Sequence, residues 1–314
     1  MSGRFGKSQA ILLVYIMLVA LLVLAEVVAP GFLGLNHMNS VMRQAAFLGI
    51  AAIGQTFVIL SGGIDLSIAS LITLSNVVSA QVMDGKNSNI ALSVLIMLAI
   101  GICCGIVNGV GIHYLRISPL VMTLGMGSVI QGVAYIYSKG APKGASAPAI
   151  TALVTEKILG FLTSPLLIWL FLATIAIIVL KYTTLGRYIY SIGTNIVSSK
   201  YSGINIPRTL LTIYVVSAVM ASLIGLLLIG YTGTSYLDTG NVYTMNSIAA
   251  VVIGGTSVLG GVGGYVGTIA GSIIMTIIVG LLAVVRIPIS GRLIAQGLVI
   301  LLILLVYGRA SKRA

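Results

Sequence analysis

The sequence predicts an all-α fold, a polytopic membrane helical bundle of about ten transmembrane helices, some of them short, broken or re-entrant. Three observations carry this expectation. Of 314 residues, 58% are apolar and only 7% are charged, against about 25% charged in an ordinary soluble domain. The mean hydropathy is +1.15. The apolar residues also fall into runs close to the ~20 residues that a helix needs to cross a bilayer. Seventeen basic and five acidic side chains cannot solvate the surface of a soluble fold of 32.5 kDa, so most of that surface is expected to face lipid.

Arg4 and Lys7 precede an apolar run from Ile11 to Ala29. A signal-peptide apolar region spans only ~7–15 residues, so this run reads as a first span, with the amino terminus inside. By the same length rule the spans are 9–29, 43–61, 66–83, 90–113, 118–138, 163–181, 209–230, 246–260, 264–285 and 291–308. Both termini are then cytoplasmic. Gly-rich turns alone separate 43–61 from 66–83 and 246–260 from 264–285, so those helices are the ones expected to be short, broken or re-entrant. On this topology ten of the 17 basic residues fall on the cytoplasmic side, among them Arg116, Lys181, Arg187, Lys200 and Arg208, which has the sign of the positive-inside bias. Two segments are too polar to span: 139–162 as an external loop and 182–208 as a cytoplasmic one. Residues 1–314 thus form a single membrane domain.

The net charge of +12 invites a nucleic-acid reading, but the basic residues form no patch with interleaved aromatics. Cys103 and Cys104 are adjacent in an apolar run and read as packing residues. His37 and His113 are far apart in sequence, so no metal-ligand cluster is expected. No nucleophile and base suggest catalysis, and no G-x-x-x-x-G-K-[ST] loop is present to cradle ATP.

Glycine spacing is the first feature with mechanical content. Gly101, Gly105 and Gly109 recur every four residues, as do Gly263, Gly267 and Gly271. On a helix such a run forms one small-residue face where two backbones approach closely. The second feature is the stretch Ser61 to Ser67, containing Gly62, Gly63 and Asp65. A carboxylate between two adjacent spans either marks a pathway or caps the next helix; the two roles are compatible. The third is the segment from Gly186 to Pro207, in which Asn195 can start a short helix and Gly203 can stop it. A two-turn helix between the glycines Gly193 and Gly203 would make a knob for a partner's groove. The fourth is the run from Ile248 to Gly264, whose many glycines in an apolar context imply a re-entrant or kinked helix pair.

Together these features resemble the permease subunits of ribose-type sugar ABC transporters. The resemblance covers nearly the whole chain. It rests on Gly62-Gly63-Ile64-Asp65-Leu66-Ser67, on Leu185-Gly186-Arg187-Tyr188-Ile189-Tyr190 with Gly193 and Asn195, on Ser202-Gly203-Ile204-Asn205, and on Ala249-Ala250-Val251-Val252-Ile253-Gly254-Gly255-Thr256-Ser257. It implies a multi-pass protein of the bacterial inner (plasma) membrane, paired with a second permease copy, identical or not. It also implies a periplasmic or extracellular sugar-binding protein and a cytoplasmic ATPase subunit that carries ATP and Mg. The chain itself would hold no cofactor and would not be an enzyme. By position, the coupling helix gripped by the ATPase would run from about Asn195 to Gly203, with Gly193, Asn195, Ser199, Lys200, Ser202 and Gly203 as coupling residues. Family members often carry an acidic residue and two alanines after the Asn; this sequence has Ile196, Val197, Ser198, Ser199 and Lys200 there.

Sugars are bound by hydrogen-bonding side chains and aromatic faces. Tyr231, Tyr236, Asp238, Asn241 and Tyr243 therefore stand as contacts for substrate or for the binding protein, against the alternative of an interfacial aromatic belt. The same fold importing amino acids or nucleosides is the related alternative. An ion-coupled secondary transporter would need intramembrane ionisable groups, and only Asp65 qualifies.

Overall fold

The computed structural model describes residues 2–158, 162–288 and 290–298. In chain order the long elements are α1 (Ser2–Val28), α2 (Leu35–Leu60), α3 (Ile68–Met83), α4 (Ile90–His113) and α5 (Pro119–Ser138). The short helix α6 (Pro148–Thr155) follows, then a two-residue antiparallel pair, β1 (Lys157–Ile158) with β2 (Leu162–Thr163). Next come α7 (Ser164–Tyr182), α8 (Thr184–Thr194), α9 (Ile196–Tyr201), α10 (Ile206–Thr232), α11 (Asn241–Ile253) and α12 (Tyr265–Val284). Among the described residues, seven helices are long and apolar enough to cross a membrane. Residues 290–298 are helical; the rest of the expected span 291–308 lies outside the described residues.

Local chemistry explains many of the boundaries. Proline opens α5, α6, α7 and α10 within the first turn, where its missing N–H costs no helical bond. Gly233, at φ +76°, closes α10 in the left-handed conformation that a glycine adopts without penalty. The expected helix 246–260 is corrected. Its helical part is α11, which ends at Ile253, and Gly255, Gly260, Gly261 and Gly263 all take positive φ in the loop that follows. At 13 residues α11 is too short to cross a bilayer by itself.

The core is built around α2, which packs on α7, α10, α11 and α12 and is buried along almost all of its inner two thirds. Small residues make this possible. Gly49 lies where any side chain would overlap the indole of Trp169. Trp169 donates its Nε1 proton to the Tyr265 hydroxyl (2.7 Å), which in turn donates to the Gly49 carbonyl (2.7 Å). This relay ties α7 and α12 to the middle of α2 and satisfies two polar groups that would be costly when buried alone. The expected close approach along Gly101, Gly105 and Gly109 is present: a methyl on any of them would meet α10 at Ser222 and Val219, at Val215 or at Leu211. In the second run only Gly267 and Gly271 lie on a helix, facing Gly254 and Ala250. Gly263 precedes α12 in a non-helical loop, packed against Thr256, so the second run is corrected from three helical glycines to two.

Connections alternate between two faces of the bundle. On one face the backbone N–H of Gly261 bonds to Leu60 (2.9 Å), and one cavity is lined jointly by Gly62, Arg116, Ser118 and Asn195. On the opposite face Gly85 bonds to Ala145, Ser146 to Gly233, Ala149 to Asn87, and the Lys157 ammonium to Asn36.

Candidate functional site

Between α2 and α3 the chain runs without helix from Ser61 to Ser67 and forms a strap through the bundle. Gly62, at φ +86°, turns it off the end of α2. Three neighbouring helices hold the rest. From α5, Thr123 accepts the Leu66 N–H (3.0 Å) and lies 3.1 Å from the Ile64 carbonyl. From α10, Ser217 donates to Asp65 Oδ2 (2.7 Å). From α4, Asn108 donates to the Ser67 hydroxyl (3.0 Å). Asp65 is almost fully buried, and its Oδ1 accepts both the N–H (2.9 Å) and the hydroxyl (2.6 Å) of Ser67. Because Ser67 is itself the residue before α3, Asp65 closes a tight turn ahead of the helix and does not bond to a helical amide.

Two cavities lie at the two ends of this strap. One, about 580 Å³, is lined by Gly62 and Gly63 at its start, with His113, Arg116, Asn195 and Tyr214. The other, about 520 Å³, is lined by Leu66 at its end, with Ser70, Ser128, Gln131, Asp238 and Asn241. Along α5 the first reaches only Pro119, whereas the second runs from Leu124 to Tyr135. The second cavity is polar but uncharged apart from Asp238, and none of its lining residues is cationic. Such a surface suits a neutral, hydroxyl-rich solute better than an anion.

Beside the first cavity stand α8 and α9. A methyl at Gly186 would overlap the carbonyls of Val179 and Leu180, so only glycine lets α8 fold back against the end of α7. Helix α8 is amphipathic, burying Gly186, Ile189 and Ile192. Tyr190 donates to the Gly263 carbonyl (2.9 Å), and burial pushes its hydroxyl pKa up, so it remains a donor. Asn195 caps α9, its side chain accepting the Ser198 N–H (2.9 Å), and Gly203 ends the helix at φ +78°. Ser199 is buried and bonds back to the Asn195 carbonyl (2.8 Å), whereas Lys200 and Ser202 point outward. Gly193 is no hinge. A methyl there would overlap the Leu60 carbonyl and press on Gly261, so three backbone segments touch at this point.

The family model described as "Branched-chain amino acid transport system / permease component" matches residues 37–307. The chain belongs to this family of permeases. Similar proteins include the ribose import permease protein of Escherichia coli K12, 34% identical over 313 residues, 97% of each chain. The fructose import permease protein of Rhizobium meliloti is 31% identical over 280 residues, 86% of this chain and 77% of its own. The galactose/methyl galactoside import permease protein of Escherichia coli K12 is 33% identical over 290 residues, 84% of each. No solved structure matches.

In this permease the five residues selected from the 231–243 connection divide. Asp238 and Asn241 line the cavity at the Leu66 end of the strap and bond to each other (3.0 Å). Tyr236 bonds to Thr234 (3.1 Å), and Tyr231 carries the Arg43 guanidinium 5.4 Å above its ring and packs 5.8 Å from Phe47. Tyr243 is partly buried against the core. These three are absent from the cavity lining. Sequence reading missed Ser128, Gln131 and Tyr135, which succeed one another at three- and four-residue spacing on one face of α5. That polar stripe in an apolar helix was the available signal. Among the described residues, no three His, Cys, Asp or Glu side chains converge on a metal site.

Proposed function

We propose that the chain is the membrane-spanning subunit of an ATP-driven, binding-protein-dependent monosaccharide importer of the bacterial inner membrane. The observation that carries this reading is the strap from Gly62 to Ser67, held between two cavities at opposite ends and leaving α2 just after Leu60, whose carbonyl lies against Gly193 in the segment leading into α9. The cavity at the Leu66 end is the outward vestibule, and Ser70, Gln131, Asp238 and Asn241 offer sugar hydroxyls their hydrogen-bond partners. The cavity at the Gly62 end opens to the cytoplasm, with both termini on that side. Gly62, Gly63, Asp65 and Ser67 close the path between them. Residues 1–314 act as a single permease domain.

The chain contributes no hydrolytic chemistry. A cytoplasmic ATPase subunit, carrying ATP and Mg, supplies the work through α9, and an external sugar-binding protein delivers the cargo. Two permease copies form the channel. The family description favours a second reading, amino-acid import. An amino acid would bring a carboxylate, which a cationic side chain would pair best, and the outward cavity has none among its lining residues. The names of the ribose, fructose and galactose relatives favour sugar.

The test is uptake into proteoliposomes holding the permease, its ATPase and its binding protein. Radiolabelled monosaccharide should accumulate only when ATP is enclosed on the ATPase side. Accumulation of branched-chain amino acids instead, or uptake driven by a proton gradient without ATP, would overturn it.

A further inference from the structure

The two cavities differ in charge. The one at the Leu66 end holds Asp238 and no cation. The one at the Gly62 end holds Arg116 and His113, and no Asp or Glu lines it. Asp65, two residues beyond Gly63, is absent from that lining, and its oxygens are taken by Ser67 and Ser217. Among the described residues the Arg116 side chain makes no hydrogen bond and no ion pair. It is held in the turn between α4 and α5 at φ +55°, a turn closed by the Ile117 N–H on the Gly111 carbonyl (3.3 Å). A neutral sugar offers this arginine hydrogen bonds but no counter-charge.

The other polar groups of this cavity are mainly donors. Tyr214 is 1% exposed and lines it, yet its hydroxyl has no hydrogen-bond partner among the described residues. That hydroxyl lies beside Gly63, where a methyl would meet it, and Gly63 lines the same cavity. A buried hydroxyl without a partner is costly, and one that borders a cavity is explained by a ligand in it. Asn195 accepts the Ser198 N–H through Oδ1, which leaves its Nδ2 free to donate. Ser118 precedes α5 without capping it, so the positive end of that helix dipole is open to the same space. A guanidinium, a phenol, an amide and a helix start around about 580 Å³ make a site for an anion of sugar size.

We propose that the cavity at the Gly62 end binds a monosaccharide phosphate, with Arg116 on the phosphate and Tyr214 and Asn195 on the sugar, and that its occupancy slows import. This rests on the importer reading, which turns this cavity to the cytoplasm. The class of reaction that supplies the ligand is phosphoryl transfer by a kinase: a hydroxyl oxygen of the released sugar takes the terminal phosphoryl group of ATP, leaving ADP and a proton. The product keeps the ring of the cargo and gains the charge that Arg116 lacks. The brake is geometric. The cavity is bounded by the start of the strap at Gly62 and Gly63, by the α4–α5 turn at Arg116, and by Gly193 and Asn195 ahead of α9. A ligand touching all three favours the arrangement that holds them together over any in which they part.

The test is calorimetric binding of ribose 5-phosphate, fructose 6-phosphate and galactose 6-phosphate to the permease in nanodiscs of neutral lipid, beside the three free sugars, inorganic phosphate and ATP. At least one sugar phosphate should bind about tenfold or more tighter than its free sugar and than inorganic phosphate. Arg116→Gln should weaken it about tenfold, the scale of a charge-assisted pair, and Arg116→Lys should restore part of the loss. Tyr214→Phe should weaken it about two- to tenfold without lowering the melting temperature, because the hydroxyl has no protein partner to lose. In proteoliposomes with the ATPase and binding protein, the same sugar phosphate on the ATPase side should slow uptake, and the ratio of uptake with and without it should move towards one in Arg116→Gln. Sugar phosphates that bind no better than free sugars would overturn the proposal, as would equal binding of inorganic phosphate and ATP, or an Arg116→Gln variant that binds as the wild type does. A site filled by phosphatidylglycerol in anionic nanodiscs, and not cleared by sugar phosphate, would assign it to lipid and overturn the proposal too. In each case ATP-driven sugar uptake by the wild type without sugar phosphate leaves the importer reading standing; its absence removes that reading whatever the calorimetry shows.

Discussion

Ser217, in the first half of α10, donates its hydroxyl proton to Asp65 Oδ2 across 2.7 Å, and Asp65 thereby joins the strap to the helix beneath it. The contact spans 152 positions of sequence and is fully buried. It makes the strap part of the bundle and not a loose connection. The relation also explains Gly54: a methyl there would overlap the Ser217 backbone, so α2 must be bare at this level for α10 to approach.

Asp65→Ala should therefore strip three hydrogen bonds from a buried turn and leave Ser67 and Ser217 donors unmet, costing about 2–3 kcal/mol. Thermal unfolding in detergent should shift down and uptake should fall. Asp65→Asn keeps one acceptor oxygen and should retain more of both. An alanine variant with wild-type melting and wild-type uptake would show that the turn does not depend on the carboxylate.

Gly193→Ala places a methyl against the Leu60 carbonyl, where nothing can yield except backbone. The expected overpacking is about 1–3 kcal/mol, spread over the junction of the strap, the end of α8 and the Gly261 loop. ATPase binding should persist because the outer side of α9 is untouched, while sugar moved per ATP hydrolysed should drop. Measuring hydrolysis and uptake in the same proteoliposomes checks this; an unchanged ratio would refute it.

Asn195→Ala removes the cap from a helix too short to hold without it, a loss of about 1 kcal/mol. Coupled uptake should decline, and Asn195→Asp or Asn195→Ser should restore most of it because each can still accept the Ser198 N–H. Rescue by these capping residues separates a role in shaping α9 from a direct role in contact with the ATPase.

Gln131→Ala and Asn241→Ala should each lower the maximal rate of uptake without altering sugar affinity of the binding protein, which would read the cargo before this chain does. Loss of one hydrogen bond to a neutral solute corresponds to about 0.5–1.5 kcal/mol, or roughly 2- to 13-fold in rate. Tyr231→Phe, away from the cavity, should leave uptake unchanged. Equal effects at all three positions would argue against the cavity as the path.

The positions of the helices were legible because apolar runs mark them, though only seven of the described helices have the length and apolarity to cross a bilayer. Nine of the ten expected runs contain a helix, and the described part of the tenth is helical too. The limits of α9 were legible because Asn and Gly act locally at helix ends. What escaped was either amphipathic or tertiary. Helix α8 buries Gly186, Ile189 and Ile192 at helical spacing, a pattern short enough to be hidden beside the long apolar runs. The early stop of α11 was hidden because Gly254 and Gly255 follow Ile253 without a change in hydropathy. Nothing local to Gly193 announces that Leu60 and Gly261 lie against it. Gln131 became notable only when Asp238 and Asn241 were brought to the same cavity.

The burial of α2 has a consequence for biogenesis. It carries Gln55 and Thr56 in its middle, both fully enclosed, and is walled by α7, α10 and α12. Those walls are synthesised later: α7 starts about 100 residues beyond the end of α2, which is about 5–20 s of translation. Until then α2 would face hydrocarbon with the Thr56 hydroxyl short of its Thr268 contact on α12 (3.3 Å), and with the Gln55 amide, which finds no hydrogen-bond partner among the described residues even in the folded bundle, unshielded by its neighbours. The nascent chain must therefore keep α2 in the insertion machinery, or against a protein chaperone in the bilayer, until its neighbours emerge.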